Sequence, residues 1–218
     1  MISNEDAQAA GARFRADGFF IVDRPVLSSR QIEAGIAGMD AVREGTYETG
    51  VPPRPSPWNP GDDLDTLCKI EMPQIADRRI YECLTSEALG SWAAAVTGAK
   101  MVQVWWVQLL YKPPTKPGVE ATTTVGWHQD FQYWQHNWDE DSELFTAWLA
   151  LSDVGATAGP MSFVEGSHRW GFRNEGDFFA QNQAEVLETI SVPRGESWRE
   201  TTCLLPAGGV SFHDRLTY

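Results

Sequence analysis

Apolar residues in the first hundred positions recur mostly at the spacing of helices. The pattern predicts one helix over residues 4–17, with Ser3 as its N-cap, and a second helix over residues 28–43. Residues 75–97 are helix-forming in composition, with a break at a Thr-Ser pair in their middle. The run at residues 19–22 is short, apolar and rich in β-formers, so it predicts a buried strand.

The pattern changes at Met101, where short β-rich runs begin to alternate with turns of glycine, proline and aspartate. Ahead of this change, residues 50–65 contain five prolines and predict an irregular loop. We therefore expect an α+β fold with one domain, 1–218, whose mainly helical part, 1–100, packs on a jelly-roll core, 101–218. The predicted strands cover residues 101–112, 127–134, 144–154, 161–167 and 204–213.

The composition is that of an ordinary globular protein, with 218 residues, 42% hydrophobic and 22% charged. A formal net charge of -13 opposes non-specific binding to nucleic acid, which requires clustered Lys and Arg. No run reaches the roughly 18 apolar residues that span a membrane, and the N-terminus lacks a signal-peptide pattern. The cysteines, Cys68, Cys83 and Cys203, are odd in number and widely spaced, which indicates free thiols. We expect a cytoplasmic protein without nucleic-acid or membrane partners, and the oligomeric state stays open.

The stretch VGWHQDFQYW, at residues 125–134, holds the strongest candidate chemistry. In a strand, His128 and Asp130 point to the same face, where an imidazole and a carboxylate can bind one cation. Two histidines and one carboxylate on one side of an octahedral ion leave three positions open, an arrangement that suits non-haem Fe(II). His-X-Asp triplets also occur by chance, and a lone histidine is often structural, so an ordinary strand is the alternative interpretation.

A second histidine ligand has to come from elsewhere in the chain, which holds four histidines in all. His136 is only six residues beyond the triplet and is too local. His168 follows a predicted strand in a turn, where we expect it to hold the turn by hydrogen bonds. His213 is the one distant histidine on a predicted strand. Ten tryptophans, seven of them between Trp92 and Trp148, fit either a core or a ligand pocket.

Several segments taken together resemble a known family. These are W-H-Q-D, AWLALSDV, GPMSFVEGSHRWG and LPAGGVSFH, in this order and with sensible spacing, and DGFFIVDRPVLS near the start adds to them. The combination is similar to the phytanoyl-CoA dioxygenase (PhyH-like) family over about residues 102–218. The resemblance implies a double-stranded β-helix and an oxygenase that uses Fe(II), 2-oxoglutarate as co-substrate, and O2.

Carried over residue by residue, the resemblance implies that His128 and Asp130 are the first two iron ligands. Related halogenases have a small residue at the position of Asp130, so a carboxylate there favours hydroxylation. Core packing is the alternative for each of the other matched positions. These are Phe131 and Trp134 as substrate contacts, and Gln108, Trp148 and Ser162 as contacts of the co-substrate.

The third iron ligand is where the sequence departs from the family pattern. Aligned on SFHDRLT, the ligating histidine is expected just after Tyr218, followed by an arginine that pairs with the distal carboxylate of 2-oxoglutarate. His213 would then lie near the metal without binding it. Three interpretations compete: residues beyond Tyr218 supply the ligand, the protein does not work with iron, or His213 is itself the ligand.

The leading hypothesis is a dioxygenase that hydroxylates a small-molecule metabolite at a C–H bond. An epimerase-type oxidase on the same scaffold is equally compatible with Asp130. The rival from another class is a catalytically inactive jelly-roll protein that binds a small molecule and keeps a vestigial metal site. The sequence does not identify the substrate.

Overall fold

The computed structural model describes residues 2–114 and 123–218. The helices are α1 (Asn4–Asp17), α2 (Ser29–Arg43), α3 (Arg78–Leu84), α4 (Glu87–Thr97), α5 (Phe131–Trp134) and α6 (Gln183–Thr189), with short 3-10 helices at Pro73–Ile75 and Ser167–Trp170. The strands are β1 (Phe19–Val22), β2 (Cys68–Glu71), β3 (Gln108–Tyr111), β4 (Phe145–Leu149), β5 (Ser162–Val164), β6 (Glu200–Thr202) and β7 (Val210–Asp214).

The helical predictions for the N-terminal part are confirmed, because local chemistry fixes the helix ends. The hydroxyl of Ser3 accepts a hydrogen bond from the backbone of Asp6, and Gly18 ends α1 in the left-handed conformation. Ser28 and Gln31 form a capping box at the start of α2. The predicted break in the third helical segment separates α3 from α4.

The largest sheet has β7 in its centre, between β1 and β4, with both pairings antiparallel. One face of this sheet packs on α1 and α4 through a cluster that includes Phe212 and Trp92. The opposite face carries His213, with Phe19 across from it on β1 and Thr146 across from it on β4. Phe19 packs there on Phe163 of β5, so the candidate site lies on the face of the sheet away from α1 and α4.

The other strands form two separate pairs, β2 with β3 and β5 with β6. The result is a mixed arrangement of helices and short sheets. The predicted strands of the C-terminal part are shorter than the sequence indicated; residues 101–107 are outside any strand, and pairing begins at Gln108. Strand formers need a partner, and β2, which pairs with β3, supplies only four residues.

The prediction of a strand at residues 127–134 is wrong. Residues 123–129 are not in a strand, and α5 follows directly from Asp130, which has helical backbone angles. The aromatic run favoured a strand by composition, but its rings pack in different directions around one helical turn. Phe131 contacts Phe172, Tyr133 contacts His128, and Trp134 contacts Trp105.

Cys68, Cys83 and Cys203 are free and buried, as the sequence predicted. Among the described residues, no helix has both the length and the apolar character needed to cross a membrane.

Candidate iron site

His128 and Asp130 meet although they are not in a strand. The Nε2 atom of His128 lies 3.3 Å from the Oδ1 atom of Asp130. Between them, the Gln129 side chain is buried and bonds in other directions, to Gly171, Arg173 and Leu216. The alternation expected of residues i and i+2 is therefore present locally without a β-ladder.

The His128 ring is held through its Nδ1 atom. Nδ1 lies 2.7 Å from the carbonyl oxygen of Gly126, and a carbonyl accepts only from a protonated nitrogen. Nδ1 therefore carries a proton, and Nε2 is the nitrogen that faces Asp130. The rings of Tyr133 and Phe178 flank the imidazole, with centroids 5.8 Å and 5.1 Å away.

The Asp130 carboxylate is fixed through its other oxygen. Oδ2 accepts a hydrogen bond of 2.5 Å from the hydroxyl of Thr146 on β4. It also lies 3.0 Å from Nε2 of His213 on β7. With two groups at Oδ2, Oδ1 is the oxygen that faces His128.

Burial and charge shift the pKa values of His128 and Asp130 in opposite directions. Burial raises the pKa of Asp130, but the hydrogen bonds from His128 and His213 outweigh it and hold that pKa well below its usual value. Burial likewise lowers the pKa of His128, and the carboxylate of Asp130 more than offsets this, so the net direction is upward. The Lys69 ammonium opposes that rise. The carboxylate is therefore ionised and available to a cation.

A third donor is not in place with these two. Within residues 2–114 and 123–218, no three His, Cys, Asp or Glu side chains are grouped so that they would hold a metal ion. His213 is 8% exposed and lies against Oδ2 of Asp130, on the opposite oxygen from His128. Its role as a ligand stays a prediction, and the ligand expected after Tyr218 lies outside the described residues.

The two remaining histidines lie away from the pair. The ring of His168 makes a structural contact, but not within its own turn as predicted: its Nε2 atom lies 3.2 Å from the carbonyl of Arg15, in the last turn of α1. His136 is exposed beyond α5.

Of the two predicted substrate contacts, Trp134 is the more accessible. Its indole is half-buried and packs edge-on against Trp105, which packs in the same way on Trp138. Phe131 is 3% exposed and packs edge-on against Phe172. Phe131 thus makes a packing contact, and a substrate contact for either residue stays a prediction.

Gln108 lies beside a polar group that the sequence did not single out. Its amide donates to Glu71 at 3.1 Å, and the Lys69 ammonium lies 3.4 Å from the same carboxylate oxygen. Lys69 also lies 4.8 Å from the ring centroid of Phe178, which packs against His128. Gln108 therefore reaches His128 only through Glu71, Lys69 and Phe178, and its contact with the co-substrate stays a prediction.

Trp148 and Ser162 lie near the inner face of the large sheet. Trp148 is two residues after Thr146 on β4 and packs partly on the cluster that contains Phe163. Ser162 precedes Phe163 on β5 and is half-buried. The ring of Phe163 lies 5.1 Å from that of His213, and contacts of Trp148 and Ser162 with the co-substrate stay predictions.

The family of this chain is identified by a match to a protein-family model. The model for phytanoyl-CoA dioxygenase (PhyH) matches residues 14–218. The chain belongs to the phytanoyl-CoA dioxygenase family. Members of this family are enzymes that use Fe(II), 2-oxoglutarate and O2. A comparison with curated proteins gives no significant match.

Solved structures show the same fold. The epimerase SnoN from nogalamycin biosynthesis has a TM-score of 0.70 at 20% identity, over 99% of this chain and 74% of SnoN. SnoN in complex with Fe3+, alpha ketoglutarate and nogalamycin RO gives 0.66 at 18%, over 99% and 76%. EctD from S. alaskensis, with 2-oxoglutarate and 5-hydroxyectoine, gives 0.64 at 17%, over 99% and 68%.

The donors present fit the iron of the dioxygenase family in chemistry but do not complete its ligand set. The Nε2 atom of His128, once deprotonated, and the ionised carboxylate of Asp130 can supply two of the three ligands of a facial triad. Lys69, Gln129 and Thr146 were missed because single residues of these types carry no local signal. Of these three residues, only Thr146 could have been predicted from the sequence, since alternation along β4 places it on the same face as Trp148.

A further feature missed in the sequence is a strap at residues 171–183, which covers the ligand-bearing segment. The backbone of Gly126 donates to Phe178, and that of Asp177 donates to Trp127. A Cβ added at Gly126 would collide with the carbonyl oxygen of Asp177, so glycine is needed for this close approach. The strap therefore packs on the segment that carries His128, through backbone bonds at Gly126 and Trp127 and through the ring of Phe178.

Proposed function

We propose that this chain is a single oxygenase domain of double-stranded β-helix type that hydroxylates a small-molecule metabolite at a C–H bond. The observation that carries the proposal is the pair of adjacent donors, Nε2 of His128 and Oδ1 of Asp130, oriented by Gly126 and Thr146. Membership of the dioxygenase family supplies the cofactor, and the pair supplies the position where the cofactor binds.

When bound, Fe(II) would supply the activation of O2 that is coupled to decarboxylation of 2-oxoglutarate. The protein's contribution is to hold the ion and orient its ligands. Asp130 provides a carboxylate where related halogenases leave room for a halide, which supports hydroxylation. The hydrogen bonds at Oδ2 leave Oδ1 as the donor oxygen.

The co-substrate is a dicarboxylate and needs cationic or hydrogen-bonding partners. Lys69 supports this role because its ammonium is mostly buried, with 14% of the side chain exposed, and lies one aromatic ring away from His128. We keep Gln108, Trp148 and Ser162 as further contacts of 2-oxoglutarate. The arginine expected beyond Tyr218 would pair with the distal carboxylate.

The substrate would lie on the aromatic side of the site. Trp134 leads from the ligand-bearing segment to Trp105 and Trp138, and the exposed fraction of Trp138 is 36%. Indole faces of this kind suit a compact, partly apolar molecule. The three buried thiols fit a reducing, cytoplasmic setting.

The direct test is release of succinate from 2-oxoglutarate with Fe(II), compared between the wild type and Asp130→Ala. We expect the variant to lose at least about 100-fold in rate, because removal of a ligand removes the bound ion. Asp139→Asn, an exposed acid beyond α5, is the matched control and should retain full activity. Full turnover by Asp130→Ala would contradict the assignment of Asp130 as an iron ligand.

Anaerobic Fe(II) titration addresses the third ligand and the rival function together. If His213 is a ligand, His213→Ala should weaken Fe(II) binding as much as His128→Ala does. If the ligand lies beyond Tyr218, His213→Ala should weaken it less. The rival is a binding protein with a vestigial site. Failure of the wild type to bind Fe(II) would support that rival.

A further inference from the structure

Gln129 lies between the two ligands in sequence and is among the most completely bonded side chains of the site. It is 1% exposed. Its amide nitrogen donates to the carbonyl of Gly171 at 3.0 Å and to that of Leu216 at 2.7 Å. Its amide oxygen accepts from the backbone of Arg173 at 2.8 Å. Both N–H groups and the oxygen of the amide are therefore used.

These three bonds join separate parts of the fold. Leu216 follows β7, the strand that carries His213, and the next bond along, from the backbone of Phe131 to Arg215 at 3.0 Å, ties the same two segments. Gly171 and Arg173 begin the strap that covers His128. Gln129 is thus the point where the ligand-bearing segment, the end of β7 and the strap meet.

The position of this junction between the two ligands leads us to expect an effect on the iron. The side chain of Gln129 is fixed toward the strap and the end of β7, while the side chains of its two neighbours, His128 and Asp130, come within 3.3 Å of each other. An apolar residue would leave two carbonyls and one N–H buried without partners. The segment would then rotate or separate from β7, and the angle between the ligands would change.

We infer that Gln129 is a positioning residue, which sets the relative orientation of the His128 and Asp130 donors without touching the metal. This inference rests on the proposed function for its iron readout. It also makes a claim about the protein without metal, namely that the bonds of Gln129 determine how the His128 ring is held.

The test compares Gln129→Met with Gln135→Met. Gln135 is the matched control: it lies six residues on, is half-buried and donates a single bond, of 2.7 Å, to the carbonyl of Gln132, away from the strap. We expect Gln129→Met to weaken Fe(II) binding about 10- to 100-fold in an anaerobic titration with 2-oxoglutarate, and to shift the charge-transfer band of the Fe(II)–2-oxoglutarate complex. Gln135→Met should change neither. Gln129→Asn, which keeps the amide on a shorter stem, serves if the methionine variant does not fold.

A second readout needs no iron. In the metal-free protein, the imidazole nitrogen resonances of His128 should shift, and the amide of Arg173 should exchange faster, in Gln129→Met but not in Gln135→Met. If the wild type binds no iron, the proposed function fails while this readout still decides the inference. Unchanged His128 resonances, or unchanged Fe(II) affinity in a folded but destabilised variant, would show a purely structural role and overturn it.

Discussion

His213 and the His128–Asp130 pair approach one another from parts of the chain that are held in different ways. His213 is in a strand with a partner on each side, opposite Phe19 on β1 and Thr146 on β4. Its neighbour Phe212 is fully buried on the helix-facing side of the same sheet. The position of His213 is thereby distributed over two ladders and a hydrophobic core.

The segment that carries His128 and Asp130 has no ladder of this kind. Its backbone is held by a few bonds to the strap, at Gly126 and Trp127, and by the Phe131 bond to the end of β7. The rest comes from side chains, chiefly Gln129 and Thr146. Each of these contacts is single, so each one should matter separately.

We therefore expect global stability and ligand geometry to depend on different parts of this molecule. Substitutions on β7 should lower the free energy of unfolding of the whole domain. Substitutions on the ligand-bearing segment and strap should cost less stability and more iron affinity. Measuring both quantities for each variant separates the two classes.

The largest effect is expected from Phe212→Ala on β7. Removing a fully buried ring at the contact with α1 and α4 should lower the free energy of unfolding by about 3 to 5 kcal/mol. Urea denaturation followed by circular dichroism measures it. Leu64→Ala, at a position 64% exposed, is the control and should change stability by less than about 0.5 kcal/mol. A cost near that of the control would mean that β7 is not the centre of the stable core.

Gly126→Ala tests how far the ligand-bearing segment depends on the strap. The added Cβ would collide with the carbonyl of Asp177, so the strap must move, at a cost of about 1 to 3 kcal/mol. We expect a disproportionate loss of Fe(II) affinity, together with faster amide exchange at Gly126 and Asp177.

Gly90→Ala is the matched control for the glycine substitution. Gly90 is in α4, and a Cβ there meets nothing within 4 Å. This change should therefore raise stability by about 0.5 to 1 kcal/mol, as alanine is the better helix former. If Gly126→Ala leaves Fe(II) affinity and amide exchange at the control level, the strap does not order the ligands.

The parts of the fold that the sequence predicted are those with local determinants. Ser3, Ser28 and Gly18 fix helix ends through bonds to residues three or four positions away, and these were readable. The pairing of β5 with β6 joins residues such as Phe163 and Thr201, whose short segments carry little signal by themselves. The turn of α5 was misread because strand propensity described its residues correctly and its tertiary contacts prevailed.

The same distinction applies to the candidate site. The proximity of His128 and Asp130 was predicted from their spacing in a strand. The two side chains do lie 3.3 Å apart, but in a segment that is not a strand. The bond from Gln129 to Leu216 spans 87 residues, and no spacing rule connects them. What orients the ligands is thus long-range and appears only when the chain is folded.

Thr146 is where the two regions touch, so Thr146→Val should show an intermediate effect. Valine keeps the shape of the side chain on β4 but leaves Oδ2 of Asp130 without its 2.5 Å donor. Loss of a hydrogen bond to a charged group should cost about 1.5 kcal/mol, and Fe(II) affinity should fall with it. Thr146→Ser keeps the hydroxyl and should retain the affinity. Equal Fe(II) affinities for the valine and serine variants would separate Thr146 from the ligand geometry.

The smallest effect concerns pH and lies on the β7 side, away from the ligand pair. His168 reaches the carbonyl of Arg15 at the end of α1, and burial lowers its pKa below the ordinary 6.5, with Arg169 acting in the same direction and Asp214 and Asp17 opposing. The folded state therefore binds fewer protons than the unfolded state, so this contribution to stability is complete above about pH 6.5 and is lost as the pH falls below it.

His168→Gln keeps a donor for the Arg15 carbonyl but does not titrate, so it separates the effect of protonation from that of the hydrogen bond. We expect wild type and variant to have urea midpoints that diverge from about pH 8 to about pH 5.5, with the wild type falling more steeply. Their Fe(II) affinities at the higher pH should agree, because the bond of His168 is to α1 and not to the strap. Urea midpoints that stay parallel across this pH range would mean that His168 does not govern the acid sensitivity of the core. A difference in Fe(II) affinity would mean that the β7 side and the ligand-bearing segment are more tightly coupled than their separate hydrogen bonds indicate.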